Sequence, residues 1–174
     1  MDETGCDKKS AIRKAGYALR GITPEYHWKL VKGRRLSSVA AIAVDGVVAV
    51  DFTHNSMNAE FFYEFARGSL IPNLLPFNGQ NSKSVVIMDN CSIHHVDCVE
   101  QLFRDAGILV LFLPPYSPDM NPIEHTFSKV KNYLRRHDEL VQIVDDVTPL
   151  VRAAFDTVTE EDCRGWIQHC SYQV

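Results

Sequence analysis

The sequence predicts a mixed α/β fold, with one sheet of antiparallel and parallel strands flanked by helices. Two β-rich runs, residues 36–44 and 47–52, flank Asp45-Gly46, a strong hairpin signal. Two short continuous apolar runs, 84–89 and 108–113, enclose one helix-length segment. Strand–helix–strand order of that length demands a parallel pair covered by its crossover helix. From residue 122 onward, apolar residues recur at helical spacing.

The elements follow in chain order. Residues 4–35 lack clean periodicity and are punctuated by Gly16, Gly21, Pro24 and Gly33, which reads as a long basic loop or a distorted hairpin. After the 36–52 hairpin, Asn58 can cap a helix whose apolar positions include Phe61, Phe62, Phe65 and Leu70. Residues 76–83 are turn-rich. "SVVIMD" (84–89) has the continuous apolar character of a buried strand. A helix over 96–107 ends at Gly107, and "ILVLFL" (108–113) is the second buried strand. A helix then runs from near Pro122 to about His137, followed by two more near 145–157 and 160–170. Thr159 and Asp162 are spaced as a cap for the last. With no repeat or low-complexity linker, residues 1–174 read as one domain.

Composition narrows the function. No stretch approaches the roughly 20 apolar residues of a membrane span, and the opening "MDETGCDKKS" is not a secretory leader. Five cysteines without framework spacing suit a reducing, intracellular setting. The formal charge of −4 hides a pattern. Residues 1–35 hold nine Lys/Arg against four Asp/Glu, and residues 129–137 hold four against none. Between and beyond these islands acids dominate: ten against three over 36–128, and eight against two from 138. An acidic centre between basic islands suits a metal-binding carboxylate site that also holds a polyanion; a mixed solvated surface is the simpler alternative.

Three places can carry chemistry. Asp89 ends a buried strand, where open α/β sheets bind ligands, although Asp89-Asn90 also suits a plain turn. Glu124 lies beyond a segment stiffened by Pro114, Pro115, Pro118 and Pro122. It also fits a capping box, with Asn121 as the cap and Pro122 in the first helical position. The same helix carries an apolar stripe of Ile123, Phe127, Val130 and Leu134. Beside it lies a polar stripe of Glu124, Ser128, Lys131 and Arg135. Cys91, His94, His95 and Cys98 are zinc-type ligands, but they crowd into eight residues, tighter than structural zinc spacing. Trp28 and Trp166 read as packing residues rather than base-stacking platforms.

"VVIMDNCSIHH" followed by "LFLPPYSPDMNPIEHTFSKVK" resembles the catalytic core of the mariner-superfamily DDE transposases. The 34 residues between Asp89 and Glu124 resemble the family's spacing between its second and third acids. "MDETG" with "RKAGYALRG" resembles the segment carrying the first acid. The resemblance covers residues 1 to about 137 and implies a ribonuclease-H-like fold.

It also implies an acidic triad of Asp2, Asp89 and Glu124, and only the resemblance selects Asp2 over Glu3. The triad would hold two Mg²⁺ or Mn²⁺ ions for cleavage of transposon ends and strand transfer into target DNA. Asn90, His94 and Asn121 would support the site, and Arg13, Lys14, Arg20, Lys131 and Arg135 would contact the DNA backbone. A homodimer working on paired ends is implied, with no membrane and no small-molecule cofactor. Location would be nuclear in a eukaryote and cytoplasmic otherwise.

Two departures shape the expectation. Only Met1 precedes Asp2, so the first strand is expected to be largely missing and the first acid weakly anchored. No helix-turn-helix region is seen ahead of the domain. The alternatives are a truncated or domesticated remnant that binds DNA without cutting it, and a stand-alone nuclease of the ribonuclease-H type.

Overall fold

The computed structural model describes residues 1–12, 16–23 and 33–173. Its main strands and helices agree with the sequence reading from residue 36 onward, except for an unexpected short helix at Asp138–Ile143, and the order differs before residue 36. Where the sequence predicts a largely missing first strand and, from residue 4, a long basic loop or distorted hairpin, Asp2–Cys6 forms strand β1. It runs antiparallel to β2 (Leu36–Ala43), from Asp2 opposite Ala40 to Cys6 opposite Leu36. The first acid is therefore held in a ladder, contrary to the expected weak anchoring. The segment escaped notice because its partner lies some 30 residues away and "DETGC" shows no apolar alternation.

The hairpin forms between β2 and β3 (Gly46–Thr53). Ala43 pairs with Gly46, so Val44 and Asp45 make the turn. Gly46 has φ +125, a conformation that excludes other residues. A register shift at Ala41/Ile42 leaves Val48 as an extra residue and bends the ribbon.

Helix α1 (Ala59–Phe65) starts at Asn58, whose side chain accepts the Phe61 N–H at 2.9 Å. It continues through a π turn to Leu70 and a 3-10 turn at Ile71–Asn73, which contains Pro72. Strands β4 (Val85–Met88) and β5 (Leu109–Phe112) pair in parallel across helix α2 (Asp97–Asp105). Helix α3 (Ile123–Arg136) carries the buried stripe of Ile123, Phe127, Val130 and Leu134. Helices α4 (Asp138–Ile143), α5 (Thr148–Asp156) and α6 (Glu160–His169) complete the described chain. Among the described residues, no helix is long and apolar enough to cross a membrane.

Strand β2 explains the two-sided core. Val39 and Ala41 point to one face, against Phe62, Phe65, Val86, Met88 and Phe103. Leu36 and Ala40 point to the other, against Ile123, Phe127, Val130, Leu134 and Phe155. A strand buried on both faces must be apolar or small throughout, as "LSSVAAIA" is. At its other edge, β1 approaches β4: the Met1 amine donates to the Ile87 carbonyl at 2.7 Å. That contact brings the starting end of β1 beside the final turn of β4, where the acids lie.

Candidate active site

Asp2 opens β1, and its two oxygens are held differently. Oδ1 accepts the Glu3 N–H at 2.7 Å, and Oδ2 accepts the Asn121 side-chain amide at 2.9 Å. Burial pushes the Asp2 carboxyl up to about 6. The Glu3 N–H opposes this shift, and repulsion from Asp89, Glu3 and Glu124 adds to it. Two acids far away in sequence thus act on Asp2 through space.

Asp89 follows β4 directly. Its Oδ1 accepts the Cys91 N–H at 3.3 Å and lies 3.1 Å from His94 Nδ1. The other ring nitrogen of His94 lies 2.9 Å from Glu3 Oε1, and the ring is buried against Phe62. Acceptor oxygens at both ring nitrogens are satisfied together only by the imidazolium. Burial pulls the His94 pKa down, but Glu3 and then Asp89 outweigh it, and the net direction is upward.

The proline segment spans the gap between the second and third acids. Leu113 N–H donates to the Met88 carbonyl at 2.8 Å, so the segment departs from beside Asp89. It passes Tyr116, a non-glycine residue at φ +58, and a 3-10 turn at Pro118–Met120. Tyr172 Oη donates to the Met120 carbonyl at 3.0 Å and ties this turn to the tail. The segment ends at Asn121, buried and bonded to Asp2. Asn121 does not cap α3, and no capping box forms with Glu124. The local grammar was that of a cap, but the amide is taken by an acid at the other end of the chain. Glu124 is left exposed on the first turn of α3.

Asp2, Asp89, Asn90, Cys91, Asn121 and Glu124 line one cleft of about 430 Å³, closed on its other side by Pro114–Pro118. The donors are hard carboxylate oxygens suited to Mg²⁺ or Mn²⁺, and a buried carboxylate surrounded by other acids is stabilised by an added cation. Yet no group of three His, Cys, Asp or Glu among the described residues stands close enough to hold an ion as the side chains lie. The acids share a cleft without converging on a point. The Cys91, His94, His95 and Cys98 set does not converge either: His94 faces Glu3 and Asp89, while His95 meets Asn90 and lies against Phe112.

Other candidates are spread out. Arg13 and Lys14, like Trp28, lie outside the described residues. Arg20 is exposed in a turn. Lys131 exerts its charge on Cys6, at the end of β1 remote from Asp2. Arg135 donates to Asn132 at 2.7 Å. None of the three lines the acid cleft. Glu3 is the participant that sequence reasoning missed. Alternation along β1 turns it away from Asp2 and toward His94, a signal visible only once β1 is known to be a strand.

The family described as DDE superfamily endonuclease matches residues 1–146. No curated protein matches the chain in sequence. Among solved structures, "the Mos1 mariner paired end complex with Mn" is similar at TM-score 0.65 and 14% identity, over 97% of this chain and 51% of that one. A "Mos1 transposase paired-end complex with left transposon end" is similar at 0.59 and 16%, over 97% and 54%. The "Mos1 transposase catalytic domain and Raltegravir with Mg" gives 0.56 and 14%, over 78% and 70%. The shared fold is the ribonuclease-H-like one expected. The chain spans about half the length of the first two Mos1 chains.

Proposed function

Because this chain belongs to the DDE superfamily endonucleases, we propose that it cuts DNA strands in a metal-dependent reaction and joins the resulting ends to target DNA. The observation that carries this reading is that Asp2, Asp89 and Glu124, far apart in sequence, line one cleft. Three carboxylates lining one cleft, with Asp2 buried against its own ionisation, fit a cation site better than a structural one.

Asp2, Asp89 and Glu124 would hold Mg²⁺ or Mn²⁺, two ions in this reading. When bound, the ions supply an activated oxygen nucleophile and neutralise charge on the leaving oxygen. The chain's own groups set the geometry. The Asn121 amide and Glu3 N–H fix the Asp2 carboxylate, and His94 fixes Oδ1 of Asp89. The four prolines limit what the loop must lose in entropy as Glu124 closes on the others. Lys131 and Arg135, with Arg13, Lys14 and Arg20, would take the phosphate backbone. A pair of chains would serve two transposon ends. The site of action is then wherever chromosomal DNA lies, the nucleus in a eukaryote and the cytoplasm otherwise.

The test is nicking of supercoiled plasmid in Mn²⁺ or Mg²⁺ by the wild type and by Glu124→Gln. The wild type should nick and the variant should not, with unchanged circular dichroism. Undiminished nicking by Glu124→Gln overturns the assignment. Salt-sensitive DNA binding without nicking by the wild type leaves the non-cutting remnant as the answer.

A further inference from the structure

Helix α3 presents a second face that the acid cleft does not use. His125, Ser128, Lys129, Asn132, Tyr133, Arg136 and His137 recur at helical spacing and, with Trp166 of α6, line a groove of about 560 Å³. Twelve residues of helix make it roughly 18 Å long. No carboxylate lines it.

Flat rings stand at both ends. His125 is nearly parallel to Trp166, with ring centres 6.2 Å apart and planes at 19°. Tyr133 and His137 stack at 4.2 Å and 29°. Between them lie a hydroxyl, an amide and two cations. Lys129 is tied to Asp162 at the rim, the carboxylate that also caps α6. Arg136 is exposed and forms no ion pair among the described residues. A guanidinium beside half-buried rings along one groove matches the chemistry that holds an unpaired nucleic-acid strand, with bases stacked on the rings and phosphates on the cation.

The position of the groove supports the same occupant. His125 follows Glu124 directly, so the groove opens about 100° around α3 from the third acid. We infer that this groove binds single-stranded DNA, receiving the unpaired end that leaves the acid cleft. The inference rests on the cleft reading for the direction of the strand. The groove's affinity for single strands needs neither metal nor cleavage, and can be measured apart from them.

The experiment is fluorescence anisotropy of a labelled ten-nucleotide oligo-dT with the full chain in EDTA. Salt-sensitive binding is expected, weakened roughly ten-fold or more by Trp166→Ala and by Arg136→Ala. Trp166→Phe keeps a flat ring and should keep most of the affinity, which separates stacking from loss of fold. Arg136 is on the surface, so its variant reports even if Trp166→Ala fails to fold. Equal binding by the wild type and Arg136→Ala overturns the proposal. So does equally tight competition by poly-glutamate, which would make the groove a site for acidic polypeptides. Nicking retained by Glu124→Gln would sink the cleft reading alone and leave the groove standing.

Discussion

Replacing Asp2 by Asn should make the protein more stable at pH 8 and slightly less stable, by about 1 kcal/mol, near pH 3.5, where only the disturbed Asn121 bond counts. The free acid titrates near 3.8 in the unfolded chain and near 6 in the fold, pushed up first by burial and then by Asp89 and the other acids. The sign follows from linkage. Below about pH 4 both states hold the proton, and Asp2 costs the fold nothing. Between the two values the folded state holds more protons, so stability falls as pH rises. Above about 6 the ionised carboxylate costs about 3 kcal/mol, at 1.36 kcal/mol for each of roughly two pKa units. Disturbing the Asn121 bond returns about 1 kcal/mol, so the expected gain at pH 8 is about 2 kcal/mol. Urea denaturation of both chains in EDTA at pH 3.5 and pH 8, read as a difference between them, measures it. Mn²⁺ at pH 8 should then stabilise the wild type and not the variant. A variant less stable than wild type at pH 8, or a difference that does not change with pH, would refute the reasoning.

Further outcomes follow from the same coordinates. His94 carries a raised pKa, so its bridge between Glu3 and Asp89 is complete below about 6.5 and is lost as pH rises through the folded value. His94→Gln should therefore lose more stability at pH 6 than at pH 8.5 by urea denaturation. Glu124→Gln changes an exposed side chain and should shift stability by no more than about 0.5 kcal/mol, in contrast to its loss of nicking. Phe127→Ala, at a position 1% exposed between sheet and helices, should cost about 3–5 kcal/mol in the same measurement. Asn121→Ala removes the donor on Asp2 and should weaken Mn²⁺ binding by calorimetry while α3 keeps its length by circular dichroism, since Asn121 is not its cap.

Much of the architecture was legible because it is local. The 36–52 hairpin, the 84–113 strand–helix–strand unit, the Asn58 cap and the Thr159–Asp162 capping box each follow from neighbouring residues, and all four form. The failures are where distant contacts decide. β1 is a strand because Leu36–Ala40 offers it a ladder, which nothing in "DETGC" announces. α4 went unread because six residues with Val141 as their one fully buried apolar side chain show no period. Asn121 has the right neighbours for a cap and is claimed instead by Asp2. The same holds for the site. Asp89 stands out as a candidate at a strand end and Glu124 by the proline segment before it and the polar stripe beyond it, whereas Glu3 emerges only from the pairing that sets the direction of alternate side chains along β1.

The central claim is that Asp2, Asp89 and Glu124 close on divalent cations in the cleft they share. A crystal of the chain soaked in Mn²⁺, read by anomalous scattering at the manganese edge, addresses it directly. Peaks in the cleft within coordination distance of all three carboxylates, with Glu124 drawn inward from its exposed position, are the predicted result. Peaks elsewhere, or a cleft without manganese while Glu124 stays in solvent, would contradict the account.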